Sequence, residues 1–146
     1  MAPTSAFTAT RMPGRPQTSP SGTAYQPGIC NIGPAEIARR RRAGHVGLVA
    51  SVILLAVIVA IGAPPLARFL VAIPAAGAAS GYLQAWLKFC AGFGSLGVFN
   101  FGPLGPTEQV SDPAARTRDR ARARQIGVAS LAIGITVGVV AALLPL

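Results

Sequence analysis

Three apolar stretches of this chain contain no Lys, Arg, Asp or Glu: Ala43 to Ala67, Phe69 to Leu87 and Gln125 to Leu146. Each is near the roughly 20 residues that a helix needs to cross a hydrocarbon layer of about 30 Å. Without water to bond, every backbone N–H and C=O in such a layer must be satisfied inside the segment, so these stretches are expected to be helices. A soluble core would spread its apolar residues, whereas here 51% of the 146 residues are apolar, only 12% are charged, and the apolar ones are gathered in blocks. The expected fold class is all-α: an integral membrane protein made of a helical hairpin plus a third transmembrane helix, behind a disordered N-terminal tail.

The formal net charge is +9, which on a soluble domain would suggest nucleic acid. Its distribution suggests otherwise. Arg39, Arg40, Arg41 and Arg42 precede the first block, Lys88 follows the second, and Arg116, Arg118, Arg120, Arg122 and Arg124 lead into the third. If residues 1–42 are cytoplasmic, every one of the 13 basic residues except Arg68 falls on the cytoplasmic side, as the positive-inside bias requires. The charge therefore reads as topology: N-terminus cytoplasmic, C-terminus outside, in a bacterial inner membrane. These ten basic residues are the expected contacts to anionic lipid headgroups. With no RNA- or DNA-reading motif, no nucleic-acid partner is expected, and no small-molecule substrate is evident.

Residues 1–29 are rich in Pro, Thr, Ser and Gly and contain no acid, so they are expected to form a disordered cytoplasmic tail. Order is expected from Asn31 onward, with Pro34 at the first helical position and Glu36 complementing the helix N-terminus. Ala63-Pro64-Pro65 ends the first helix and forces a tight antiparallel hairpin. The second helix carries Pro74, read as a kink, then Gly77 and Gly81, a small-xxx-small spacing that admits close helix approach. Gly134 and Gly138 repeat that spacing in the third helix, so the two motifs are expected to pack together or to drive self-association, in a homodimer or a larger membrane complex.

Residues 89–107 are uncharged, but five glycines and two prolines oppose a crossing, and a crossing there would move the five downstream arginines outside. An interfacial or re-entrant segment is expected, with Phe89, Phe93, Phe99 and Phe101 facing the membrane. The domain plan is thus a 1–29 tail, a 30–104 membrane hairpin with its Gly/Phe-rich segment, a 105–124 Arg-rich cytoplasmic connector and a 125–146 third helix. Asp112-Pro113 is a good cap and first-turn pair for a helix that runs through the connector into the last block.

Chemistry-bearing residues are few. No crossing has an ionisable residue in its middle, which disfavours a pump or transporter. His45 is the only histidine, and with Cys30 and Cys90 it makes three ligands where closed zinc sites take four, so neither metal nor cofactor is expected. The thiol candidates are Cys30 and Cys90, both assigned to the cytoplasmic face. Cys30, close to a helix N-terminus and to four arginines, is expected to be shifted toward thiolate.

Asn31, Gly33, Glu36, Arg40 and Gly44 follow the spacing N-x-G-x-x-(D/E)-x-x-x-R-x-x-x-G, with two apolar helices and Phe89-Cys90 beyond. This resembles the small bacterial inner-membrane domain of two transmembrane helices that is sometimes fused to a rhodanese, or sulfurtransferase, domain. The likeness covers about half the chain; Ile37 and Ala91 stand where that family often has a basic residue and a proline, and no rhodanese domain is expected within these 146 residues. The resemblance implies a membrane hairpin able to dimerise and placed near sulfur-transfer chemistry. The expected function is a scaffold or accessory subunit of the membrane without catalytic activity of its own; the alternative is a thiol protein that handles sulfur or senses redox state through Cys30 and Cys90.

Overall fold

A computed structural model describes residues 24–145; the expected tail up to residue 23 and the last residue lie outside the described residues. Helix α1 spans Pro34–Ala60, a 3₁₀ segment Pro65–Val71 leads into α2, Ala72–Trp86, and the short α3, Ala91–Leu96, follows. Two-residue strands β1, Val98–Phe99, and β2, Glu108–Gln109, pair antiparallel, and α4, Pro113–Leu143, completes the described chain. Three segments, Pro34–Ala60, Pro65–Trp86 and Pro113–Leu143, are long and apolar enough to cross a membrane.

The helix ends follow local chemistry. Pro34 sits in the first turn of α1 behind Gly33, and the Asp112 carboxylate accepts from the N–H groups of Ala114 and Ala115 at 3.0 and 3.3 Å to cap α4. From there α4 runs unbroken through connector and apolar block alike. Pro74 lies in the first turn of α2, directly after the 3₁₀ segment, where a missing N–H interrupts no bond within α2. The proline-rich link tightens the start of the second apolar segment into the 3₁₀ turn.

Helix α2 is the middle of the bundle, antiparallel to both neighbours. A Cβ at Gly81 would overlap the backbone of Gly44, one at Gly47 would meet Ala78, and Gly44 itself lies against the Tyr82 ring. On the other side Gly134 sits on Ala72 and Ala76, and Gly138 on Ala72 and Phe69. Glycine removes the side chain that would separate two helix backbones, so these contacts set the helix spacing. The buried stripe of α4, Ala115, Asp119, Ala123, Ile126, Ser130, Gly134, Gly138 and Ala141, advances by three or four residues at a time, as one helix face must. Gly77 departs from the expectation: nothing approaches within 4 Å of its Cβ position, because position 77 faces away from both neighbours. The small-residue spacing of α2 therefore packs at Gly81 only.

Outside these seams the surface is apolar. Val49, Val52, Ile53 and Val57 on α1 and Val128, Leu131, Val139 and Val140 on α4 are exposed. Charge collects at one end, where α1 and α4 start and α2 stops. At the opposite end Arg68 is buried, and its Nη1 donates to the carbonyl of Leu144 at 2.7 Å. This closes the C-terminus of α4, whose last carbonyls lack partners within the helix.

The Gly/Phe-rich segment forms no helix long enough to span: it is six residues of helix, a left-handed turn at Gly97 and a two-residue strand. Its phenylalanines are not uniformly membrane-facing. Phe89 is fully buried against Ala123 and Ile126, Phe101 is buried beside Gly33, and Phe99 stacks on Tyr25 with ring centroids 4.8 Å apart. The segment uses its aromatic surface to cap the bundle end.

Candidate functional site

At the charged end, segments distant in sequence are laid side by side. Asn31 is the centre of this arrangement. Its Nδ2 donates to the carbonyl of Cys90 at 3.1 Å, while its Oδ1 accepts from the N–H of Cys90 at 2.7 Å. The amide thus satisfies both polar backbone groups of a residue that is 1% exposed. The Asn31 backbone also bonds Lys88 on one side and Asn100 on the other, at 3.2 and 3.0 Å. Gly33 continues this pairing, its N–H donating to Asn100 at 2.8 Å, and a Cβ there would stand 2.8 Å from Cα of Phe101.

One turn into α1, the carboxylate of Glu36 is 1% exposed, 3.4 Å from Arg39 and 3.7 Å from Arg40. Arg40 turns inward: its Nη2 donates to Sγ of Cys90 at 3.0 Å, and its guanidinium lies 5.9 Å from the centre of the Phe93 ring. Gly44, next in the spacing, is the α1–α2 crossing itself. Four of the five residues singled out by that spacing therefore act on one junction, Gly33 through backbone approach and Asn31, Glu36 and Arg40 through a polar chain that reaches Cys90.

Cys90 is the N-cap of α3. Its sulfur accepts the N–H of Phe93 at 3.4 Å as well as that of Arg40, and Gln84 Oε1 accepts the N–H of Ala91 at 3.0 Å. Lys88 makes the turn that delivers Cys90 here, with φ of 53°, and the N–H of Phe89 returns to the carbonyl of Gln84 at 3.0 Å. This is the Schellman closure usually built on glycine.

Cys30 departs from its expected character. It is buried, its Sγ points to the carbonyl of Ile32 at 3.8 Å, and burial pushes its thiol up in pKa, outweighing Lys88 nearby. The cysteine beside an arginine is Cys90, a juxtaposition that neighbours in sequence do not reveal. Both cysteines are free thiols.

Order starts earlier than Asn31. Tyr25 Oη donates to Asp119 Oδ2 at 2.8 Å, and the N–H of Gly28 donates to Asp119 Oδ1 at 2.7 Å. Asp119 is 0% exposed, a carboxylate held inside the Arg-rich first turns of α4. Burial, then the Asp119 carboxylate, push the Tyr25 phenol well above its ordinary range. Nothing in the sequence pointed to this pair; an acid among alternating arginines reads as an ion-pair partner, not as an anchor for a distant turn.

The arginines divide into two sets. Arg40 belongs to the junction, Arg116 donates from Nε to the carbonyl of Val110 and covers Gly97, and Arg122 bonds Gln125 at 3.2 Å. Arg39, Arg41, Arg42, Lys88, Arg118, Arg120 and Arg124 are exposed at this end, with Trp86 and Leu96 also exposed there. Two of the four acids in the chain, Glu36 and Asp119, are buried, so the exposed surface is more basic than composition alone indicates. His45 Nδ1 lies 2.6 Å from the Tyr82 hydroxyl, and no group of three or more metal-ligating side chains occurs among the described residues. No protein-family model, no curated protein and no solved structure matches this chain.

Proposed function

We propose that the chain is a three-crossing protein of a bacterial inner membrane, with the N-terminus in the cytoplasm and the C-terminus outside, acting as a scaffold or accessory subunit without catalytic activity of its own. The observation that carries this is the inverted surface: apolar side chains exposed along α1 and α4, with basic side chains gathered where α1 and α4 begin and α2 ends. Such a surface exposes far more apolar area than a soluble monomer tolerates, and lipid is the solvent that suits it. Anionic headgroups are the matching partners for the exposed arginines, and Trp86 lies at the level where an interfacial aromatic belongs.

The junction of Asn31, Arg40 and Cys90 suits a structural cap, since the Asn31 amide satisfies both backbone groups of Cys90 and Arg40 bonds its sulfur, although Arg40 Nε and Glu36 Oε2 are buried without a hydrogen-bond partner. It also supports a second reading, in which Cys90 handles sulfur or senses redox state. Reactive cysteines sit in electropositive surroundings, and Arg40 stands on this sulfur. That reading agrees with the likeness to the two-helix domain found beside sulfurtransferases.

Topology is tested with an impermeant maleimide on Leu66→Cys and Gln109→Cys variants, at exposed positions toward opposite ends of the bundle. In intact spheroplasts position 66 labels, and position 109 labels only after permeabilisation. The reverse pattern, or release of the protein from membranes by salt alone, overturns the assignment. The role is tested by mild-detergent purification: a stoichiometric companion supports the accessory role, and purification alone with thiol-dependent sulfur transfer favours the second reading.

A further inference from the structure

Residues 24–30 are fastened differently from the residues that follow them. The bonds of Gln26, Ile29 and Cys30 close a local turn: Gln26 N–H to Cys30 O at 2.9 Å, with Ile29 and Cys30 N–H both to Gln26 O at 3.0 Å. That turn is tied to the rest of the protein through Tyr25 and Gly28, both bonded to the single carboxylate of Asp119, and through the Tyr25 ring on Phe99. From Asn31 onward the anchors are separate, to Lys88, Cys90 and Asn100. The boundary between the two sets falls at Cys30.

We propose that residues 24–30 form a strap, latched on Asp119, that controls access to the Cys30 thiol while leaving Cys90 buried. Segments held by few contacts open locally without global unfolding, and this one has a single polar latch. Closed, the strap buries Cys30 and holds its sulfur against the Ile32 carbonyl. Open, the sulfur reaches water with Lys88 close by, surroundings in which a thiol reacts more readily. Cys90 stays closed because the Asn31 amide and Arg40 do not depend on the latch. The inference rests on the thiol reading only for what an exposed sulfur does; the gating itself is a matter of accessibility.

The test uses the full chain in mild detergent at neutral pH, treated with iodoacetamide, with Cys30 and Cys90 quantified separately by peptide mass spectrometry. The Tyr25→Phe variant keeps the ring on Phe99 and removes only the phenolic bond. Its Cys30 alkylation is expected to rise by about tenfold or more, since a hydrogen bond to a charged group changes an opening equilibrium by at least that factor. Cys90 is expected to keep the wild-type rate. Asp119→Asn, which weakens both latch bonds, is expected to raise Cys30 further. An unchanged Cys30 rate in both variants overturns the proposal, as does a parallel rise at both cysteines, which signals global loosening. Loss of the thiol reading would show differently, as an unchanged cellular phenotype when Cys30 and Cys90 are both replaced by Ser.

Discussion

Gly77 and Gly81 are four residues apart on one helix, yet the bundle assigns them opposite sensitivities to the same mutation. In Gly81→Ala the new methyl would overlap the backbone N of Gly44 and stand 2.7 Å from its Cα and 2.8 Å from the carbonyl oxygen of Arg40. Every one of these is a backbone atom, so no side chain can rotate aside and α1 must move away from α2. Overpacking costs about 1–3 kcal/mol, and a backbone–backbone clash belongs at the upper end. Alanine returns about 1 kcal/mol of helix propensity, leaving a net loss of about 2 kcal/mol. Gly77→Ala meets nothing within 4 Å and keeps the propensity gain, so it is expected to stabilise by up to about 1 kcal/mol. Titration of the full chain from mild detergent into SDS, followed through its single tryptophan, Trp86, measures both. The order Gly77→Ala, wild type, Gly81→Ala is expected for the midpoints. If Gly81→Ala matches or exceeds wild type, or if Gly77→Ala loses as much as Gly81→Ala, the α1–α2 crossing described here is incorrect.

Other substitutions probe the charged end. Asn31→Ala strips the N–H and C=O of buried Cys90 of their partners; with each orphaned group costing about 1–3 kcal/mol, the variant is expected to lose about 2–6 kcal/mol in the same titration, and to expose Cys90 to alkylation. Lys88→Gly removes the side chain from a left-handed residue and is expected to stabilise by about 1 kcal/mol, visible as a later SDS midpoint. Tyr25 titrates above its ordinary value, so the folded state holds that proton more tightly than the unfolded state. The stability linked to it is present in full below the ordinary value of 10.0 and is lost as pH rises through the raised one. The difference in phenolate absorbance between wild type and Tyr25→Phe is expected to develop later than for free tyrosine, with strap opening as it does so.

The residues that end and begin elements were legible in the sequence because their effects are local. Pro34, the Ala63-Pro64-Pro65 link and the Asp112-Pro113 pair act through their own backbone and the next turn, and no distant contact changes what they do. The charge-free blocks were legible for a similar reason, since length and composition alone make a helix able to span. The place of Pro74 was not legible because it depends on where the α-helix starts, and the 3₁₀ segment before it moved that start to Ala72. Cys30 was misread because proximity in sequence to arginines is not proximity in space; the backbone carries its sulfur toward Ile32, and Arg40 reaches Cys90 from across the junction.

The sequence by itself determined which three long segments are helices, where they stop, and that basic residues gather where they begin and end. It also marked Asn31, Gly33, Glu36, Arg40 and Gly44 as a set, without indicating what they do together. Only the tertiary structure decided that four of them meet around Cys90 and the 98–101 segment while Gly44 sets the helix crossing, that Gly81 packs and Gly77 does not, and that Asp119 holds the strap. The physical reason is range: propensity, caps and charge act within a turn of helix, whereas hydrogen-bond partners and close approaches are set by which faces the bundle turns inward.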